Sequence, residues 1–326
     1  MTNTCEVSAE KQISRMFAAA RLFAILTVIS AHIAIRNSAV IAKFYSAVGS
    51  IGVIVFFIAA GYYLKQDKPF LFIKKKAKTI LLPWMVLGTA VYVVNSILNG
   101  SGLSLFSWVQ WQFGYKTYLY FVPVVMVCFV LFYYNNLLTL IAAIILNGLS
   151  LMLTCSGVLE PVIVALHITN YLNVFNWIGF FALGILLRRI PVEKSFAFFK
   201  QTRLFALCLS VFCIVLITFT DYKVGYFSPF GWAFELVCTW SILGVCTFER
   251  AHNKFFVSVS EMSYAIYILH MMFVGVLAKV YGLHPALSLF ANVIVLLFTW
   301  FVLTAGRCIA GRVKLAKVYN LFLGIR

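Results

Sequence analysis

The feature that most constrains this chain is a succession of apolar stretches, each about 17–22 residues long. A helix of that length crosses the ~30 Å hydrocarbon core of a lipid bilayer. Hydrophobic residues make up 63% of the 326 residues and charged residues only 11%, a balance that soluble domains of this size do not have. Because a spanning segment must satisfy its backbone polar groups internally, we expect an all-α, polytopic membrane helix bundle.

About ten transmembrane helices are expected, and residues 1–326 should form one membrane-embedded domain with no soluble domain appended. Only a short polar turn around Asn135 and Asn136 separates the fourth helix from the fifth. The apolar stretch 157–168 is too short to span a bilayer, and we interpret it as a re-entrant or surface segment. The expected spans are roughly 16–36, 44–64, 79–98, 118–134, 137–154, 171–188, 204–220, 230–248, 262–281 and 286–306.

The distribution of basic residues predicts the orientation of the chain. The formal net charge of +17 would by itself suggest a nucleic-acid partner. With both termini in the cytoplasm, however, twenty lysines and arginines fall in cytoplasmic segments and five on the opposite side. This asymmetry is the positive-inside bias of membrane proteins. We therefore expect both termini in the cytoplasm, the lipid bilayer as a partner, and no nucleic-acid binding.

Arg21 and His32 lie eleven residues apart in the first apolar stretch, RLFAILTVISAHIAIR. Eleven residues make almost three helical turns, so the two side chains would lie within about 20° around the axis and roughly 16 Å apart along it. Ionisable groups inside a span are costly unless they face protein or water, which makes both residues functional candidates. Taken singly, Arg21 could extend to the headgroups, and His32 could be a buried, hydrogen-bonded histidine.

The segment FIKKKAKTILLPW places four lysines in five positions before the third span, among them Lys75, Lys76 and Lys78. A patch of this density can pair with the phosphates of a nucleotide or of coenzyme A. It can also serve only as a topology anchor. The two common glycine-rich phosphate-binding motifs, G-x-x-x-x-G-K-[ST] and G-x-G-x-x-G, are absent from the sequence.

Other polar and aromatic residues in or near the spans allow several interpretations. Glu235, in the eighth span, could hydrogen-bond to His32 and raise its basicity, pair with Lys223, or reach headgroup water. His270, in SYAIYILH, is expected to be a core histidine bonded to a neighbouring helix. The aromatic loop 99–117 is expected to lie at the membrane interface, or to form a stacking platform for a sugar. The eight cysteines contain no C-x-x-C, so we expect no metal site.

These segments together resemble the acyltransferase-3 family of integral-membrane acyltransferases, many of which O-acetylate bacterial surface polysaccharides. The family's first helix carries an arginine followed eleven residues later by a histidine, as Arg21 and His32 do. Its second helix is similar to GSIGVIVFFIAAGY, and its late S-Y-x-I-Y-L-x-H signature is similar to SYAIYILH. Its third helix opens with R-x-x-R before a proline. Aligned on Pro83, those arginine positions hold Lys76 and Thr79, and a one-residue shift gives Lys75 and Lys78.

The resemblance implies an O-acetyltransferase of the bacterial inner membrane. Acetyl-CoA, with no metal, would be the acyl donor and would dock from the cytoplasm against Lys75, Lys76, Lys78 and Arg21. His32 would act as general base on an acceptor hydroxyl, or pass an acyl group, with Arg21 and Glu235 as further catalytic candidates. The acceptor would be a sugar of a cell-envelope glycan, such as O-antigen or another lipid-linked polysaccharide unit.

A multi-pass transporter or flippase of a lipid-linked sugar or small solute is the alternative. Transporters also have about ten helices with polar residues at depth, but they usually show internal repeats and paired broken helices. The sequence contains only seven prolines, mostly at loops or helix ends, and no convincing repeat. These features favour the enzyme over the transporter.

Overall fold

The computed structural model describes residues 2–35, 38–220, 222, 225–248, 253–281 and 284–325. The regular elements within these ranges are helical, and no strand occurs there. The helices of the first half are α1 (Thr2–Ser30), α2 (Ala39–Gly49), α3 (Ile51–Tyr62), α4 (Pro69–Lys76), α5 (Leu82–Leu98), α6 (Leu105–Gln112), α7 (Phe121–Leu131) and α8 (Leu137–Cys155). A π-helical turn (Ala77–Leu81) joins α4 to α5, and a 3₁₀ turn (Tyr118–Tyr120) precedes α7.

The helices of the second half begin with a short surface element and end with another. They are α9 (Glu160–Ala165), α10 (Ile178–Arg189), α11 (Val192–Phe219), α12 (Gly231–Val245), α13 (Lys254–Tyr281), α14 (Pro285–Leu289), α15 (Ala291–Arg312) and α16 (Ala316–Leu323). A second 3₁₀ turn (Val174–Asn176) lies just before α10.

Seven helical segments in the described ranges are long and apolar enough to cross a membrane. They are Glu10–Ser30, Ala39–Tyr62, Pro69–Leu98, Leu137–Cys155, Val192–Phe219, Lys254–Ala278 and Ala291–Arg312. Two shorter apolar helices are Tyr118–Leu131 and Gly231–Val245. The prediction of an all-α, multi-pass membrane fold is therefore confirmed.

Several predicted boundaries were wrong and one turn was right. Helix α11 begins at Val192 rather than near residue 204, and α13 begins at Lys254 rather than near residue 262. Helix α1 ends at Ser30 rather than near residue 36, so His32 lies in the turn that follows it. The span predicted at 171–188 becomes helical, apart from the 3₁₀ turn, only at Ile178. The turn before α8 is as predicted, because Asn136 accepts from the Thr139 N–H at 2.8 Å and Thr139 Oγ1 accepts from the Asn136 N–H at 3.0 Å. Such a capping box fixes the start of a helix.

The second crossing, α2 with α3, is the most buried of the seven long segments, and α11 is the least. Helix α3 packs against α1 and α10, and α13 packs against α1, α5 and α15. Helix α1 is antiparallel to α2 and α3, since Phe17 contacts Tyr62 at 4.6 Å between ring centroids and Ala31 lies against Gly49. We call the end of the bundle where α3 ends and α4 begins the lysine end, and the opposite end the His32 end.

The aromatic loop 99–117 is held against α5 by side-chain hydrogen bonds. Helix α6 folds back along α5, where Trp108 Nε1 donates to Thr89 Oγ1 at 2.9 Å and Trp111 Nε1 donates to the Gly88 carbonyl at 3.1 Å. Gln112 is 2% exposed and its Nε2 donates to Thr89 Oγ1 at 2.8 Å. Both indole N–H groups are thus used to hold α6 on α5.

Candidate active site

His32 stands at the wall of a cavity at the His32 end of the bundle. The turn after α1 begins with the Ala31 N–H donating to Thr27 O at 3.1 Å, and the His32 N–H donates to Ile29 O at 3.0 Å. This tight turn directs the imidazole off the end of the helix. Its side-chain nitrogens make no hydrogen bond with any residue that the structure describes. An imidazole in this position can accept or donate a proton in the cavity.

Two aromatic residues of other elements complete the immediate surroundings of His32. The ring centroid of Tyr118 lies 5.8 Å away and that of His270 lies 5.2 Å away. The Tyr118 hydroxyl donates to the Ile268 carbonyl at 2.5 Å, and the Tyr267 hydroxyl donates to the Tyr118 carbonyl. These reciprocal bonds fix the 3₁₀ turn before α7 against α13 and so hold His270 beside His32.

The expectation for His270 was wrong in one respect. Its ring does not bond to a neighbouring helix, because Nδ1 lies 2.6 Å from the carbonyl of Tyr267 in its own helix. The Nε2 atom is buried and has no hydrogen-bond partner among the described residues. Tyr267 and His270 lie three residues apart on α13, and no signal in the sequence indicated that this part of the helix meets His32.

The cavity has a volume of about 770 Å³. Such a volume falls within the usual range for small-molecule sites. Its wall combines His32 with the turn 114–118, the segment 160–171 that includes α9, and the loop before α12. Lys116 (φ 56°) and His167 (φ 51°) line it with left-handed backbone conformations. Such conformations are costly for residues other than glycine.

One side of the cavity is aromatic. Tyr120 and Tyr171 have ring centroids 4.8 Å apart, and Tyr171 lies 5.1 Å from Phe227. Behind them, Trp177 Nε1 donates to the Tyr171 carbonyl at 2.9 Å, and Tyr226 lies 5.0 Å from Trp177. Burial raises the pKa of Tyr226 well above its ordinary value, and the Glu235 carboxyl adds to that rise. Tyr226 therefore keeps its hydroxyl proton and remains a hydrogen-bond donor at physiological pH.

Glu235 lies behind this aromatic side rather than beside His32. The residue is 1% exposed and sits in the second turn of α12, with Ser50 facing it and with Tyr120, Tyr171 and Tyr226 within electrostatic range. Its Oε1 has no hydrogen-bond partner in the described chain, and no bond joins it to His32. The alternative partner, Lys223, lies outside the described residues.

Arg21 extends toward the lysine end, away from His32. Its Nε donates to the Phe17 carbonyl at 3.5 Å, and its guanidinium carbon lies 5.9 Å from the centroid of the Tyr63 ring. Because Tyr63 directly follows α3, the guanidinium approaches the chain segment that leads into the lysine run. Arg21 and His32 therefore lie toward opposite ends of the bundle, and the shared helical face predicted from their spacing does not extend to His32, because α1 ends at Ser30.

The three candidate lysines are at the lysine end, in different environments. Lys75 Nζ forms an ion pair with Asp67 at 2.7 Å and the side chain is 56% exposed. Lys76 is half-buried, with Nζ 3.4 Å from the centroid of the Phe129 ring. Lys78 is exposed. Of the three residues, Lys75 and Lys78 are more exposed than Lys76.

The π-helical turn at Ala77–Leu81 bears on the two alignments of the lysine run. In this turn the Leu82 N–H donates to the Ala77 carbonyl, five residues earlier, so one extra residue is accommodated between the lysines and Pro83. That one residue equals the offset between the pair Lys76 and Thr79 and the pair Lys75 and Lys78. Such turns occur frequently at functional sites.

A bundle of membrane-length helices with a histidine at the wall of an aromatic cavity provides a site for a small molecule beside a group that can accept or donate a proton. The model of the acyltransferase-3 family, described as an acyltransferase domain, matches residues 17–306. The chain therefore belongs to the acyltransferase-3 family and is a membrane acyltransferase. Among curated proteins and solved structures, none matches the chain. No group of three or more His, Cys, Asp or Glu residues in the described ranges is arranged to hold a metal ion.

Proposed function

We propose that this protein transfers an acetyl group from cytoplasmic acetyl-CoA to a hydroxyl of a cell-envelope glycan, of the O-antigen or another lipid-linked type, in the bacterial inner membrane. The observation that carries the proposal is the imidazole of His32 at the wall of a cavity of about 770 Å³. The aromatic side of that cavity supports a sugar acceptor, since rings such as Tyr171 offer flat apolar faces beside polar groups.

The proposed topology has about ten crossings and both termini in the cytoplasm. Helix α10 supports this count. It is short, but it packs against α8 and α3, and it runs toward the lysine end, where α11 begins. The helices that cross are then α1, α2 with α3, α4 with α5, the helix over residues 118–131, α8, α10, α11, α12, α13 and α15. The basic residues concentrate at the lysine end, which this proposal assigns to the cytoplasm.

The reaction requires one bond to form and one to break. The acceptor hydroxyl oxygen attacks the thioester carbonyl while His32 takes its proton. The carbon–sulfur bond then breaks, and the departing thiolate of coenzyme A receives the proton from the imidazolium. An imidazole can both accept and donate a proton, which suits this double role. A covalent acyl-histidine intermediate is the other possible use of the same imidazole.

Glu235 contributes to this proposal through the aromatic side of the cavity. Its buried carboxyl faces Ser50 and interacts electrostatically with Tyr120 and Tyr226. In this position it orients the tyrosines that contact the acceptor, and does not touch the reacting atoms. We therefore assign Glu235 a positioning role.

Mass analysis of surface glycans tests the proposal most broadly. Glycans from cells that express the protein should carry acetyl groups that are absent from glycans of the same cells without it. Equal acetyl content in the two samples, with the protein at normal levels in the membrane, would contradict the proposal. Altered glycan export with unchanged acetylation would point instead to the transporter alternative.

Neutralising the three lysines together tests the proposed binding of acetyl-CoA at the lysine end. The variant K75Q/K76Q/K78Q should bind acetyl-CoA about tenfold to a hundredfold more weakly, because charge-assisted contacts to phosphate are worth roughly 1.5–3 kcal/mol each before solvent screening. Titration calorimetry on the purified full chain measures the affinity. A matched control is K65Q/K68Q/K74Q, which removes the same charge from exposed positions of the same region. Equal donor affinity in the two triple variants would show that the lysines act only as topology anchors.

A further inference from the structure

The imidazole of His270 is held in one tautomer by its own helix. The residue is 0% exposed, and Nδ1 lies 2.6 Å from the carbonyl oxygen of Tyr267. A carbonyl oxygen only accepts hydrogen bonds, so Nδ1 carries the proton in this contact. A buried charge without a paired carboxylate is strongly disfavoured, and no carboxylate of the described residues acts on this ring. The ring is therefore neutral, with a bare lone pair on Nε2.

That lone pair is left without a partner. Nε2 of His270 is buried and accepts no hydrogen bond from the described residues. A buried acceptor without a hydrogen bond destabilises the fold, so such groups call for an explanation. The two neighbouring hydroxyls are committed elsewhere, since Tyr118 donates to Ile268 O and Tyr267 donates to Tyr118 O.

His32 is the neighbouring ring that can supply the missing donor. The centroids of the two imidazoles are 5.2 Å apart with the ring planes inclined at 44°. Because the nitrogens lie on the rims of the rings, this separation lets one nitrogen of each approach to hydrogen-bond distance after a small rotation of the His32 ring. A neutral His32 has one N–H, and its nitrogens make no other hydrogen bond in the described chain.

We propose that His270 is a positioning residue: its Nε2 accepts the N–H of His32 and thereby fixes the tautomer of His32 that leaves the other nitrogen bare toward the cavity. The proposal rests on the role of His32 stated under Proposed function. When His32 takes a proton from the acceptor hydroxyl, its N–H toward His270 becomes part of a cation and the hydrogen bond strengthens. His270 thus stabilises the imidazolium without becoming protonated, as the buried carboxylate does in a catalytic triad.

Two amide substitutions separate this role from simple packing. H270N keeps a donor where Nδ1 meets the Tyr267 carbonyl but removes the acceptor that faces His32. H270Q places an amide oxygen near the position of Nε2. We expect H270N to lower kcat by about 10- to 100-fold with the KM of both substrates unchanged, and H270Q to recover a large part of that loss. Equal kcat in H270N and the unsubstituted protein would overturn the proposal, as would equal losses in H270N and H270Q at unchanged melting temperature.

The tautomer itself can be read by ¹⁵N NMR of the full chain labelled at its histidines. His32 is assigned from the signals that disappear in H32Q. We expect one neutral tautomer of His32 in the unsubstituted protein and in H270Q, and a mixture in H270N. An unchanged His32 spectrum in H270N would overturn the proposal. This readout does not depend on turnover, so a fixed tautomer together with full acetylation by H32Q would contradict the proposed function and not the contact between the two histidines.

Discussion

Replacing His32 with alanine or glutamine is expected to lower acetyl transfer by about 10²- to 10⁴-fold, which is the usual contribution of a positioned general base. His32 lies in the cavity wall beside Tyr118 and His270, and its ring nitrogens are not engaged by the described residues. Removing it leaves the aromatic side and the lysine end intact. Donor affinity should therefore stay unchanged while kcat falls. The acetyl content of surface glycans, measured by mass and normalised to protein level, reports the loss in cells.

The matched control for this substitution is H284N. His284 is exposed and caps α14 by accepting from the Ala286 N–H at 3.2 Å, a function that asparagine also performs. It removes one imidazole from the protein without altering the cavity. Normal acetylation in H284N together with loss in H32A supports the assignment. Normal acetylation in H32A at normal abundance would remove His32 from the mechanism.

Replacing Gly184 with alanine is expected to disrupt the packing of two helices of the bundle. A Cβ atom at Gly184 would lie 2.0 Å from the Ile58 carbonyl oxygen, and one at Gly61 would lie 2.0 Å from the Phe181 carbonyl oxygen. Helices α3 and α10 therefore cross with backbone against backbone, as small residues permit in membrane proteins. The alanine forces the helices apart, which costs about 1–3 kcal/mol or more. The apparent melting temperature of the purified protein in detergent should fall by several degrees.

The same crossing also supports the cavity, so G184A should reduce activity as well as stability. Phe57 of α3 stacks on Trp177 at 5.3 Å between centroids, and Trp177 in turn contacts Tyr120 at 5.6 Å. The matched control is G148A on α8, where an added Cβ meets no atom within 4 Å. G148A should keep the melting temperature and the transfer rate. Equal melting temperatures for G184A and G148A would contradict the close crossing.

The sequence was sufficient for the class of fold because the length of an apolar stretch is a local property. The turn between α7 and α8 could be placed as well, since Asn136 and Thr139 form their capping box within four residues. The end of α1 could not, because no glycine or proline marks it. It is set by distant contacts, among them the Asn292 Nδ2 donating to Ser30 Oγ at 2.8 Å across 262 residues.

The candidate site was predictable only in part for the same reason. The spacing of Arg21 and His32 predicted two depths of one helix, but α1 ends before His32, and the two residues lie toward opposite ends of the bundle. The rings beside His32 are those of Tyr118 and His270, which are far away in the chain. The helical period of a sequence predicts which residues share a face, but not which other residues that face contacts. Glu235 is an example. Its place in the eighth predicted span indicated the end of the bundle at which it lies, but not that it lies behind the tyrosines of the cavity.

The most direct measurement of the central account follows a labelled acetyl group from acetyl-CoA to an acceptor glycan, using the purified full chain in lipid vesicles. The unsubstituted protein should move the label onto the glycan and release free coenzyme A in equal amounts, and H32Q should bind acetyl-CoA normally but transfer almost none. Transfer by H32Q at the rate of the unsubstituted protein, or glycan that crosses the vesicle membrane without acquiring label, would contradict the account.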